Sequence, residues 1–138
     1  MANHWLLKTE PSAYSFDRLR TEGRAVWDGV RNSLALQHLR AMKAGDRVLI
    51  YHTGAEKAVV GTAHVLKASY PDPKQDDPRL VVVDIAADDR LAQAVTLATI
   101  KADPALAGMP LIRMPRLSVM PVEPEQWKRI LQLAQGMD

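Results

Sequence analysis

Two periods of apolar and polar residues alternate along this chain, and the switches between them mark its elements. HWLLK, residues 4 to 8, is a short apolar strand that the Glu10-Pro11 pair stops, because the residue before proline is pushed away from helix. Ser15 caps a brief helix ending near Gly23, with Arg18 at the position a capping box would give to glutamate. From Ser33 to Lys43 the period is helical. Ala35, Leu39 and Met42 form one stripe with Leu36 at its edge, while Gln37 and Arg40 face away. Asn32 is the N-cap of that helix, and Gly45-Asp46 turns the chain into the strand RVLIYHT.

Two β-rich runs follow, VVGTAHVLKASY (59 to 70) and RLVVVDIA (79 to 86), separated by the polar PDPKQDDP. Gly61 predicts a bend or a close backbone approach inside the first of them. VTLATIKADPAL reads as a short helix stopped at Asp103-Pro104, and RLSVMPV, 116 to 122, as the last strand. A final helix starts at Pro124, carries Trp127, Ile130, Leu131 and Ala134 as its apolar stripe, and closes at Gly136. Five or six strands of mixed length, with helices inserted after the first and at the C-terminus, predict one α+β domain over 1 to 138, built on a curved or closed sheet.

Composition narrows the function only by exclusion. The chain has 138 residues, 47% of them apolar, enough for one core without staples. It contains no cysteine, which removes thiolate catalysis, cysteine-ligated zinc and disulfides. No signal sequence or apolar run of membrane length is present, so a soluble, cytoplasmic protein is expected. Eighteen Lys and Arg against sixteen Asp and Glu give +2, too small a field to announce a nucleic-acid binder; phosphate contacts need a local patch.

Signatures of hydrolases, phosphate loops and zinc helices are absent. Of the four histidines, His4, His38, His52 and His64, none stands at a short ligand spacing from another. If the strands around His52 and His64 pair through a turn near Glu56, His52 faces Val60 and His64 faces Val48. The two are then four residues apart along the sheet, roughly 13 Å. No metal and no cofactor are expected. An enzymatic alternative pairs His52 as base with Ser118 as nucleophile, oriented by Glu10 or Asp28, but no spacing asks for it.

WDGVRN, Trp27 to Asn32, is the most informative stretch. Taken singly, Trp27 is a core aromatic, Gly29 a turn residue, Arg31 a solvated charge and Asn32 a cap. Taken together they suit a flat, uncharged, hydrogen-bonding ring: an indole face, a close backbone approach, amide and helix N–H groups, and an arginine for a phosphate or a base edge.

Five segments resemble the EVE domain, a branch of the PUA-like superfamily: HWLLKTEP at 4 to 11, WDGVRN with its following helix, MKAGDRVLIYHT at 42 to 53, VVGTAHV at 59 to 65 and RLSVMPV at 116 to 122. They occur in the family's order and span nearly the whole chain. The resemblance implies a small, mixed, curved β-barrel with inserted helices. It also implies a pocket for a modified base: EVE proteins, including the thymocyte nuclear protein family, are linked to modified cytosines in DNA such as 5-methylcytosine. Reading such a base in a duplex requires flipping it out.

Carried over to this chain, the pocket consists of Lys8, Thr9, Glu10, Trp27, Gly29, Val30, Asn32, Tyr51, His52, Arg116, Leu117 and Ser118. Many relatives have serine at Thr9 and Thr53, so the hydroxyl is kept and a methyl group added. Arg18, Arg20, Arg24, Arg31 and Lys57 are the candidates for phosphate. The expected function is non-catalytic recognition of a modified base, in DNA over RNA, with a partner nuclease or regulator acting on what is read. A nucleic-acid or nucleoside enzyme and a small-molecule binder are the alternatives.

Overall fold

The computed structural model describes residues 2–136. Among them are six strands: β1 (His4–Thr9), β2 (Arg24–Trp27), β3 (Arg47–His52), β4 (Ala58–Pro71), β5 (Val81–Thr96) and β6 (Val119–Val122). Five helices accompany them: α1 (Phe16–Glu22), α2 (Ser33–Ala41), α3 (Leu97–Ala102), α4 (Pro110–Arg113) and α5 (Pro124–Ala134). All six strands join one sheet in the order β2-β5-β4-β3-β1-β6, with β1 and β3 parallel and every other pair antiparallel. A parallel pair needs a long crossover. Here the crossover holds α1, β2 and α2, and it carries β2 to the far edge of the sheet.

The result is an α+β domain whose sheet stays open. β2 and β6 are the two edges in pairing order, yet Trp27 from β2 and Ser118 from the approach to β6 line the same cleft. The sheet therefore curls until its edges face one another across a gap. Register shifts along β4 and β5, between Val59 and Gly61, Gly61 and Ala63, Val65 and Lys67, and Lys67 and Tyr70, supply the bending. Gly61 serves the other role expected of it as well: a Cβ there would lie 2.3 Å from the ring of Phe16, which is fully buried.

Local signals set the helices. Ser15 Oγ accepts from the Arg18 amide at 3.1 Å, and Gly23 closes α1 at φ 81°. Asn32 Oδ1 accepts from Ala35 at 3.0 Å, and Ala35, Leu36 and Leu39 of α2, with Met42, are buried as the stripe predicts. At the start of α5 the Glu123 amide donates to Gln126 Oε1 at 2.9 Å, the reach-back bond of a capping box, and Trp127, Ile130 and Ala134 face the core. Asp46 does more than end α2. Its buried carboxylate accepts from Trp5 Nε1 (2.9 Å), the Lys43 amide (3.0 Å) and the Asn3 amide (3.0 Å), tying the N-terminus to the α2–β3 turn.

Several expectations need correction. β2 is absent from the sequence reading, because four residues are too few to show a period. β5 runs to Thr96, ten residues beyond the expected end, because pairing with the long β4 holds the weak β-former stretch AADDRLAQ extended. Val95 and Thr96 belong to that strand, so the expected helix shrinks to α3, followed by a 3-10 turn at Pro104–Leu106; α4 was not expected. β6 begins at Val119, since 116 to 118 lie in a turn and bend. The β3–β4 register also differs. His52 faces Ala58 and His64 faces Arg47, with a bulge between Ile50 and Tyr51. The histidines are thus five residues apart on β3, roughly 16 Å. No helix among the described residues is long and apolar enough to cross a membrane.

Candidate nucleic-acid interface

The gap between the two sheet edges is a cleft of about 750 Å3. β1 brings Lys8 and Thr9 to one wall, and Ser118, whose carbonyl accepts from the Lys8 amide at 2.9 Å, stands beside them. The opposite wall is β2 and its continuation, Arg24 to Arg31. The loop after β1 and helix α1 form the third side with Ala13, Tyr14, Arg18 and Glu22. Thr9 Oγ1 donates to the Tyr14 carbonyl at 2.7 Å, which fixes that loop against β1.

Aromatic surface and positive charge meet in this cleft. Trp27 is 8% exposed, so most of its indole belongs to the core and only a strip faces the cleft. Tyr14, half-buried, extends that strip: its ring meets Trp27 edge-on, with centroids 6.1 Å apart and planes at 85°. The Arg18 guanidinium covers the Tyr14 ring at 5.0 Å. Five cations, Lys8, Arg18, Arg24, Arg31 and Lys74, stand against two carboxylates, Asp28 and Glu22, a local balance of +3 in a chain of +2. Glu22 pairs with Arg18 at 3.2 Å, whereas Lys8, Arg24, Arg31 and Lys74 have no ion pair among the described residues. The positive charge is thus concentrated here although the whole molecule is nearly neutral.

Burial, and then the hydrogen bond to Glu22, push the Tyr14 phenol up to about 12, so its hydroxyl stays protonated and donates to Glu22 Oε1 at 2.6 Å. That bond, with Arg18, holds the Glu22 carboxyl below its usual value. Burial lowers the Lys8 amine from its ordinary value; its Nζ donates to the Pro115 carbonyl at 2.8 Å and lies 5.7 Å from the Tyr51 ring centroid.

Of the residues expected at the pocket, Lys8, Thr9, Trp27, Gly29, Val30 and Ser118 line the cleft, as do Arg18, Arg24 and Arg31. The others are placed elsewhere. Tyr51 lies buried beneath Lys8. Glu10 is exposed at the edge of the β1 loop, and hydrogen bonds from the Ser12 amide and hydroxyl, before Thr53, hold its carboxyl low. Asn32, Arg116 and Leu117 line an adjoining groove of about 570 Å3. Arg20 and Lys57 are exposed away from the cleft lining. Gly29 has φ 79° and open space where a Cβ would point, so its turn conformation explains the glycine.

His52 is committed to structure. Its Nε2 accepts from the Phe16 amide at 3.0 Å, so Nδ1 carries the proton and donates to Glu56 Oε1 at 2.7 Å. An amide N–H can only donate, and both ring nitrogens are then used. His52 is buried outside the cleft lining, so it does not serve Ser118 as a base. What the cleft offers is stacking area, hydrogen-bond donors and positive charge.

Tyr14, Glu22, Ala25, Val26 and Lys74 also line the cleft and were not foreseen. Tyr14 left one signal, an aromatic alone in a polar loop. Lys74 left none, since only folding brings the 71–80 loop to the cleft.

The EVE domain family model matches residues 3–133. The chain is an EVE-family protein. Mouse thymocyte nuclear protein 1 is 31% identical to it across 96% of this chain and 74% of its own length. Rpa0253 of Rhodopseudomonas palustris, solved by NMR, superposes with TM-score 0.93 at 42% identity, covering 99% of this chain and 96% of that one. The human THYN1 protein in complex with 5-methylcytosine-containing DNA has TM-score 0.89 at 28% identity, over 97% of this EVE domain and 98% of that chain.

Proposed function

We propose that this EVE domain reads a modified base without chemical conversion, a modified cytosine in DNA flipped out of the duplex into the Trp27 cleft. One observation carries the reading. The cleft joins the Trp27–Tyr14 aromatic edge to a +3 cluster, in a chain that superposes over nearly its full length on a relative solved with 5-methylcytosine DNA. A flipped base brings a flat π-face and its own phosphates, and those are the two things such a cleft accepts. Trp27 and Tyr14 give the apolar edge, and Thr9, Ser118 and the free Lys8 protons face the base's polar rim. Arg24, Arg31 and Lys74 hold the flanking phosphates. A nuclease or regulator would act on the mark that the domain reads. A cytoplasmic location goes with the same reading.

The test is binding of matched duplexes carrying cytosine, 5-methylcytosine or 5-hydroxymethylcytosine, followed by tryptophan fluorescence at two salt concentrations. Preference for one modified duplex, with salt weakening all three alike, supports base readout over a phosphate grip. Arg24→Ala and Lys74→Ala should each lower the salt slope by roughly one and weaken all duplexes alike, while Arg20→Ala leaves binding unchanged. Equal binding to all three duplexes would sink the reading and favour modified RNA or a small molecule.

A further inference from the structure

Removing a base from a duplex leaves a gap in the stack, and proteins that kink or open DNA commonly insert an apolar side chain between base steps. In this chain the adjoining groove holds a candidate. Met114 is 44% exposed, a large apolar side chain left in water between two arginines, Arg113 and Arg116, that have no ion pair among the described residues. All three line the groove that also contains Asn32, Leu34, Pro115 and Leu117.

The backbone carrying Met114 is braced on both sides. Its amide donates to the Pro110 carbonyl at 2.7 Å, capping α4, and its carbonyl accepts from the Leu117 amide at 3.0 Å, closing the turn Met114-Pro115-Arg116-Leu117. Proline at the second position presets the turn, and Leu117, 5% exposed, anchors it in the core. Lys8 Nζ, which lines the cleft, donates to the Pro115 carbonyl, so the turn is tied to the rim of the base site. A rigid turn therefore presents one flexible, polarizable side chain beside the cleft, flanked by cations of the sign that phosphates require.

Resting on the base-reading function above, we infer that Met114 fills the place a flipped base vacates, while Arg113 and Arg116 grip the phosphates on either side of the gap. Apolar exposure alone would not choose this occupant. The choice rests on charge complementarity to a polyanion, and on the hydrogen bond that joins the turn to the cleft.

The experiment compares wild type, Met114→Ala and Met114→Leu on two probes: a duplex with one 5-methylcytosine, and the same modified strand alone. Only the duplex has a stack to fill. Met114→Ala should lose about tenfold or more on the duplex and keep its affinity for the single strand, and Met114→Leu should recover most of the loss. Met114 is 44% exposed, and circular dichroism unchanged from wild type establishes that both variants fold. If wild type does not prefer the modified duplex over its cytosine match, the base-reading function and this inference fall together. If wild type shows the preference and Met114→Ala binds the duplex as well as wild type does, the inference alone falls. Equal loss on both probes also overturns it, since that is the behaviour of a contact to a neighbouring nucleotide.

Discussion

Gly61→Ala tests how the fold supports the cleft. The added Cβ would stand 2.3 Å from one Phe16 ring carbon and 2.5 Å from two others. Ordinary carbon contacts begin near 3.5 Å, so the ring must retreat by roughly 1.2 Å. Phe16 has no free side to retreat into, being fully buried, and its amide is bonded to His52 Nε2 at 3.0 Å. Overpacking of this kind costs about 1–3 kcal/mol, offset by about 0.4–1 kcal/mol because alanine stiffens the unfolded chain. No left-handed backbone angle adds to the cost at Gly61. A net loss of about 1.3 kcal/mol lowers the melting temperature by roughly 4–5 °C in a domain of this size. Thermal unfolding by circular dichroism measures it, and a double-mutant cycle with Phe16→Leu identifies the cause. Phe16→Leu alone leaves a cavity and should cost about 1–3 kcal/mol; in the Gly61→Ala background it should cost at least about 1 kcal/mol less. Costs that simply add would refute the ring clash as the reason for this glycine.

Three further outcomes follow from the same structure. Trp27→Ala should destabilise by about 3–5 kcal/mol, because nearly all of the indole is buried; Trp27→Phe should fold and lose base preference, and equilibrium denaturation beside duplex binding separates the two effects. Asp46→Ala strands the donors of Trp5, Asn3 and Lys43, and should cost about 3 kcal/mol or more in urea unfolding. The Arg129 hydrogen bond at 2.7 Å holds the Asp103 carboxyl below its usual 3.8. A folded value below the unfolded one contributes stability that is complete above about pH 4 and lost as pH falls through the lowered value. The melting-temperature gap between wild type and Arg129→Ala should therefore narrow in acid; a gap constant from about pH 7 to about pH 2.5 would remove the ion pair as its cause.

The residues at the site were legible to different degrees. Trp27, Gly29 and Arg31 were found because one hexapeptide concentrates chemistry that a turn does not need. Lys8, Thr9 and Ser118 came through family resemblance, and the structure places all three in the cleft lining. His52 misled because a polar side chain near a site in sequence can be spent on the backbone. It serves the Phe16 amide, 36 residues away along the chain, and nothing local distinguishes such a partner from a ligand.

Order along the chain was enough for whatever near neighbours can settle: the caps at Ser15 and Asn32, the stripes of α2 and α5, the close approach at Gly61, and the family. These depend on contacts within a few residues, or on motifs kept in order. Folding in three dimensions settled the rest. It drew β2 across the sheet to pair with β5, extended β5 to Thr96 and moved the β3–β4 register by a bulge. It also gathered Lys8, Arg18, Arg24, Arg31 and Lys74 into one cleft. The physical reason is that charge acts through space, so a near-zero sum along the chain sets no limit on the field where the sheet's two edges meet.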